Sequence, residues 1–172
     1  MSTVEQFVRR AGDAGTKATA FLEFAKEVNA AVLEGEDREE MAAEAAFLDQ
    51  REVVIAMTAS GPPDDPRWAA RLTEAVDGEN ELFDVWRQAV AEGKRRKDDC
   101  LTAIDAIRVV HRVAVAAPDR ARNAKSPEAA SDAAVESEIA ANTAEDWLSD
   151  LCALRDGRRE PEIEELRDGS WE

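Results

Sequence analysis

The chain of 172 residues carries 22 basic and 38 acidic side chains, which gives a net charge of −16 at neutral pH. A surface this acidic repels the phosphates of nucleic acids and anionic lipids, so we expect neither as a partner. The chain is rich in alanine and has no Tyr, eight Gly and six Pro, a composition that favours helices over sheets. We therefore predict an all-α fold, an elongated antiparallel helical bundle with a long helical hairpin and a coiled-coil-like seam.

The sequence also bears on compartment and redox state. The first residues contain neither the basic nor the apolar segment of a secretory signal, and the apolar run 53–57 is far shorter than the ~18 residues of a membrane span. We expect a cytoplasmic protein. Cys100 and Cys152 fall on predicted apolar stripes, which favours buried thiols over a disulfide.

The first helix is predicted to begin at a capping box, because Ser2 is followed three residues later by Glu5. Apolar and small residues then recur at alternating spacings of four and three, the period of a coiled-coil seam. This stripe consists of Val4, Val8, Ala11, Gly15, Ala18, Leu22, Ala25, Asn29 and Val32. Gly35 follows it and is expected to end the helix.

The second helix is predicted to begin near Asp37, where acidic residues suit the positive end of a helix dipole. Its stripe consists of Met41, Ala45, Leu48, Ile55 and Ala59, with Phe47 and Val54 alongside. Gly35 and Asp37 are so close in sequence that the connection between the two helices is very short. We therefore expect the two helices to form an antiparallel hairpin. Pro62 and Pro63 are expected to stop it.

The third helix is predicted to begin with Asp65 as its cap and Pro66 at the first helical position. Its stripe consists of Leu72, Val76, Phe83, Trp86, Val90, Leu101, Ile104 and Ile107, interrupted by the polar stretch 93–99. The pattern leaves open whether the two halves form one helix, which would reach about 78 Å by Ala117 at 1.5 Å per residue. Pro118 is expected to end it.

The fourth helix is predicted to begin at Ser126 and Pro127, with an apolar stripe of Ala130, Ala134, Ala144, Leu148, Leu151 and Leu154. Its first half is rich in alanine and offers little apolar area, so we expect it to dock loosely. We assign residues 1–155 to the bundle domain and residues 156–172 to an acidic, mobile tail. Trp171 in that tail is a candidate docking anchor.

Residue patterns typical of catalysis are scarce. His111 is the single histidine and has no Glu three residues before it, as di-iron bundles require, and no phosphate-binding glycine loop occurs. One alternative is a Mg²⁺-dependent all-α nucleotide pyrophosphatase, because that family's paired carboxylates resemble two pairs here, Glu36 with Glu39 and Glu81 with Asp84. We nevertheless expect no enzymatic activity, no metal and no organic cofactor.

A further pattern runs from Phe21 to Arg112 and consists of residues 21–23, 32–37 and 48–55, then residues 71–76 and the long helix through Trp86 and Arg87. In this order of segments, residues 21–112 resemble the flagellar type III export chaperones, which escort the filament-cap and hook-junction proteins. The resemblance implies a protein that binds an aggregation-prone terminal helix of an export substrate. It also implies that the protein blocks premature polymerisation of that substrate and delivers it for export.

The binding surface would be an apolar seam that receives an amphipathic helix. Our candidate partner-binding residues are Phe83, Trp86, Val90, Leu101, Ile104 and Trp171. A loosely docked fourth helix could cover the seam as a lid. The basic run 94–97 is either a solvated face with local ion pairs or a docking patch for an acidic partner.

Two further classes of function remain open beside the chaperone and the enzyme. A structural coiled-coil subunit of a virion or another assembly would fill the same seam with copies of itself, and a homodimer is possible in either class. An acidic antitoxin or immunity protein would mask a basic partner.

Overall fold

A computed structural model describes residues 2–61 and 65–157 of the chain. These residues form three helices and no strand: α1 spans Thr3–Ala59, α2 spans Trp68–Arg122 and α3 spans Pro127–Arg155. The prediction of an all-α helical bundle is confirmed. The predicted tail, residues 156–172, lies almost entirely outside the described residues.

Helix α1 begins as predicted but does not end at Gly35. The Ser2 hydroxyl accepts a hydrogen bond from the Glu5 amide at 3.2 Å, and the Glu5 carboxylate accepts one from the Ser2 amide at 2.6 Å. The helix then runs through Gly35 to Ala59, so the predicted break and the hairpin built on it are wrong. A glycine inside a helix costs only about 1 kcal/mol relative to alanine, so Gly35 alone does not end the helix.

Helix α2 is continuous across the polar stretch 93–99 and also passes Pro118, where we expected it to end. A proline has no N–H, so it leaves the carbonyl four residues earlier, that of Ala114, without its helical donor. The buried hydroxyl of Ser137 lies 3.2 Å from this oxygen and can donate to it. The same hydroxyl lies 3.2 Å from the Ala11 carbonyl, but its one proton is needed at Ala114.

The helices contribute to two compact units. The bundle unit contains the residues up to Val32 and those from Asp98 onward, and the hairpin unit is Leu33–Lys97. Helices α1 and α2 therefore each supply one half to each unit, whereas α3 belongs to the bundle unit alone.

The bundle unit has an apolar core made of four clusters of buried residues. The predicted stripe of the first helix faces this core, because Ala11, Gly15, Ala18, Leu22, Ala25 and Val32 are buried. At one end, larger side chains from the three helices pack together: Leu22, Val28, Val32, Cys100, Ile107, Leu148, Leu151 and Leu154. Cys100 is buried as expected, Cys152 is partly buried, and both are free thiols.

The other end of the bundle unit is built from alanines. Ser126 caps α3 as predicted, since its hydroxyl accepts the Ala129 amide at 3.2 Å. Ala130, Ala134 and Ala141 are almost completely buried against alanines of the other two helices, so the expected loose docking is not found. Small side chains let helix backbones approach closely, and the close approach supplies the contacts that large side chains make elsewhere.

The hairpin unit pairs the second half of α1 with the first half of α2. Phe47 contacts Phe83 and Trp86, and the Gln50 side-chain amide donates to the Ala75 carbonyl at 2.9 Å. These contacts fix an antiparallel register. Phe47 is the one hydrophobic residue buried among the described residues of this unit.

Candidate partner-binding face

An aromatic cluster occupies the middle of the hairpin unit. The ring of Phe47 lies 5.5 Å from that of Trp86 in a stacked arrangement and 5.2 Å from that of Phe83. Phe83 and Trp86 meet edge to face at 5.9 Å. Such pairs add about 0.5–1.5 kcal/mol each beyond the area they bury. The cluster therefore holds the two helices together and presents one aromatic edge to solvent.

Three of the predicted partner-binding residues lie at or beside this cluster. Phe83 is 38% exposed and Val90, two helical turns further along, is 36% exposed. Trp86 is partly buried, and its indole N–H is fully buried with no hydrogen-bond partner among the described residues. Phe83 and Val90 can reach a partner, whereas Trp86 supports them from beneath.

The other predicted partner-binding residues are placed differently. Leu101 and Ile104 belong to the bundle unit, where Leu101 is 56% exposed and Ile104 only 3%. Ile104 is therefore a core residue, because its side chain faces inward with Ala103 and Ile107. Trp171 lies outside the described residues. Of the six candidates, the structure brings Phe83, Trp86 and Val90 together.

Sequence reasoning identified an apolar stripe on α1 but assigned it to the wrong side of the helix. In this part of α1, Phe47 and Gln50 contact α2, and Val54 and Met57 are partly buried on the same side. Met41, Leu48 and Ile55, which we expected to face a neighbouring helix, are 68%, 46% and 57% exposed. Successive helical residues are turned by about 100°, so Leu48 projects well away from Phe47.

Acidic residues separate these exposed apolar side chains. Glu44 lies between Met41 and Leu48, and Glu52 lies between Leu48 and Ile55, at spacings of three and four residues that place all five on one helix face. Both glutamates are exposed, and neither forms an ion pair among the described residues. We call Met41, Glu44, Leu48, Glu52 and Ile55 the open face.

Two residues of the basic run 94–97 form ion pairs within the hairpin unit. Arg96 Nε lies 2.9 Å from the Glu36 carboxylate, and Lys97 Nζ lies 2.6 Å from that of Asp37. The acidic residues that we interpreted as a helix start are thus the counter-charges of the basic run within the hairpin unit. Glu36 is buried against Gly93, and this burial raises the pKa of its carboxyl group although Arg96 opposes the shift.

Neither His111 nor the predicted carboxylate pairs belong to a metal-binding cluster among the described residues. No cluster of three or more His, Cys, Asp and Glu side chains able to hold a metal occurs within residues 2–61 and 65–157. Glu36 is engaged with Arg96, whereas Glu81 and Asp84 lie further along the hairpin, beside Phe83. His111 shares a hydrogen bond of 3.0 Å with the Thr19 hydroxyl in the bundle unit. None of the described helices contains a stretch long and apolar enough to cross a bilayer.

Comparison of the chain with protein-family models, with curated proteins and with solved structures gives no match.

Proposed function

We propose that the protein is a non-enzymatic helix-binding protein that acts in the cytoplasm as a chaperone or secretion adaptor and shields an amphipathic helix of a partner. The observation that carries the proposal is the hairpin unit. It presents two helices with one buried hydrophobic residue among them, and large apolar side chains remain exposed on both. An amphipathic helix laid on such a surface buries its own apolar side chains and those of the hairpin together.

The resemblance to flagellar export chaperones gives this proposal its most specific form. In that form the partner helix is the aggregation-prone end of an export substrate. Of the matching residues, 33–37 and 48–55 fall on the part of α1 that forms the hairpin unit. Phe83 and Val90 would contribute to binding from α2.

A structural coiled-coil subunit is the second candidate function. Its support is the spacing of Met41, Leu48 and Ile55, which are seven residues apart and exposed. Heptad spacing is the pattern by which identical helices pair. In this case copies of the chain would cover the open face.

Light scattering at rising protein concentration, combined with binding of the neutral apolar dye Nile red, separates the two functions. The helix-binding protein is expected to stay a monomer or dimer and to bind the dye. Leu48→Gln combined with Ile55→Gln should reduce dye binding, and Val109→Gln combined with Ile139→Gln, two exposed positions of the bundle unit, should not. A stable higher oligomer that excludes the dye would contradict the helix-binding function and support the structural one.

A further inference from the structure

The open face combines a row of apolar anchors with unpaired negative charge. Met41, Leu48 and Ile55 span 14 residues, or about 21 Å along the helix at 1.5 Å per residue. Glu44 and Glu52 fill the gaps between them and have no counter-charge among the described residues. An occupant of this face must therefore match both features, an apolar stripe of about the same length and positive charge beside it.

A second copy of the chain is a poor electrostatic match. Residues 33–97 contain nine basic and sixteen acidic residues, a net charge of −7. Arg96 and Lys97, two of the nine basic residues, are already paired with Glu36 and Asp37 inside the unit. Two open faces packed together would bring their glutamates close to one another in partly desolvated surroundings, where repulsion is strongest.

We infer that the open face binds a cationic amphipathic helix of another protein, with apolar anchors over Met41, Leu48 and Ile55 and with Lys or Arg side chains beside Glu44 and Glu52. This inference rests on the proposed function and specifies its partner. Ion pairs formed at the edge of an apolar contact mainly speed association and select the partner, whereas the buried anchors slow dissociation.

The test uses three synthetic helices of about 18 residues, long enough to cover the open face. All three carry leucine at the same positions of one face, and the remaining positions are Lys in the first, Gln in the second and Glu in the third. A fourth peptide has the composition of the Lys peptide in an order that destroys its amphipathic pattern. Binding to the full chain is measured by calorimetry at low and at physiological salt.

The Lys peptide is expected to bind about tenfold or more tightly than the Gln peptide, and the Glu peptide is expected to bind weakest. Leu48→Gln with Ile55→Gln should weaken binding of the Lys peptide by about tenfold or more. Glu44→Gln with Glu52→Gln should weaken it several-fold and reduce its salt dependence. The matched control Glu27→Gln with Asp132→Asn removes two exposed acids of the bundle unit and should leave binding unchanged.

The outcomes separate this inference from the proposed function. If the Lys, Gln and Glu peptides bind equally and the Leu48 and Ile55 changes weaken all three, the cationic partner is wrong and the helix-binding function stands. If the fourth peptide, with the Lys composition in rearranged order, binds as tightly as the amphipathic Lys peptide, attraction to the net charge of the protein explains the result and the inference fails. If none of the peptides binds and the chain dimerises through Leu48 and Ile55, both proposals fail and a second copy covers the face.

Discussion

The two halves of α1 differ in how far their apolar side chains are buried. Residues 11–32 have their apolar side covered by α2 and α3, and the bundle unit that they form contains almost all of the buried hydrophobic residues described. Residues 41–57 contact α2, and the apolar side chains of Met41, Leu48 and Ile55 remain exposed. The difference teaches that buried apolar side chains are concentrated in the bundle unit, whereas the hairpin unit keeps large apolar side chains at its surface.

The largest difference in the free energy of unfolding is expected between substitutions of two isoleucines. Ile107→Ala removes a fully buried side chain of the bundle core and should lower the free energy of unfolding by about 3 kcal/mol. Ile55→Ala removes an exposed side chain and should change it by less than about 0.5 kcal/mol. Urea unfolding followed by circular dichroism measures both, and equal losses would contradict the assignment of Ile55 to an open surface.

A second experiment tests how the bundle unit tolerates Pro118. Ser137→Ala removes the hydroxyl that lies 3.2 Å from the Ala114 carbonyl, and we expect a loss of about 1–2 kcal/mol. In a Pro118→Ala background the new amide can donate to the same carbonyl, so Ser137→Ala should cost less there. The two effects form a double-mutant cycle, and strict additivity would show that the two residues are not coupled.

Substitutions at two glycines of α1 compare how closely the backbone is packed in the two units. A Cβ at Gly15 would lie 3.2 Å from the Ala114 carbonyl oxygen, whereas a Cβ at Gly35 would meet nothing within 4 Å. Gly35→Ala should therefore stabilise the protein by about 1 kcal/mol through helix propensity alone. Gly15→Ala should lose that gain to the crowded carbonyl, and thermal unfolding that shows the same gain at both positions would refute close packing at Gly15.

The smallest expected effect concerns Glu36 in the hairpin unit. Burial raises the pKa of its carboxyl group in the folded state, so ionised Glu36 favours the unfolded chain, and the contribution of Glu36 to stability falls as the pH rises through this raised pKa. Relative to Glu36→Gln, the wild type should therefore lose less than about 1 kcal/mol between acidic and neutral pH. Urea unfolding across this range measures the difference. Glu44→Gln controls for the loss of one charge, and an identical slope for the two variants would contradict the effect of burial.

The local sequence pattern was sufficient to predict the buried side of α1 in the bundle unit and the cap of α3. The alternating stripe from Ala11 to Val32 faces the core because its period matches a neighbouring helix. Ser126 begins α3 because its hydroxyl supplies an acceptor for a free amide. In these segments the local preference and the tertiary packing agree.

Other features depend on partners that are distant in sequence. Pro118 is a helix breaker by local preference, but α2 continues through it, and the Ser137 hydroxyl lies beside the carbonyl that Pro118 leaves without a donor. Gly35 is a weaker breaker, and α1 continues through it as well. The apolar pattern predicts that Met41, Leu48 and Ile55 face a neighbouring helix, because they are more apolar than Gln50, which actually faces α2. Periodicity detects an apolar stripe but does not reveal whether a helix of the same chain covers it.

Amide hydrogen exchange along α1, with and without the amphipathic Lys peptide, tests most directly the claim that the bundle unit is stable and the hairpin unit binds a partner helix. We expect amides of residues 11–32 to be protected by about tenfold or more over those of residues 41–57 in the free protein, since local opening follows local packing. The peptide should slow exchange between Met41 and Ile55 and leave residues 11–32 unchanged. Equal protection along the whole helix, with no response to the peptide, would contradict the division into a stable bundle unit and a binding hairpin unit.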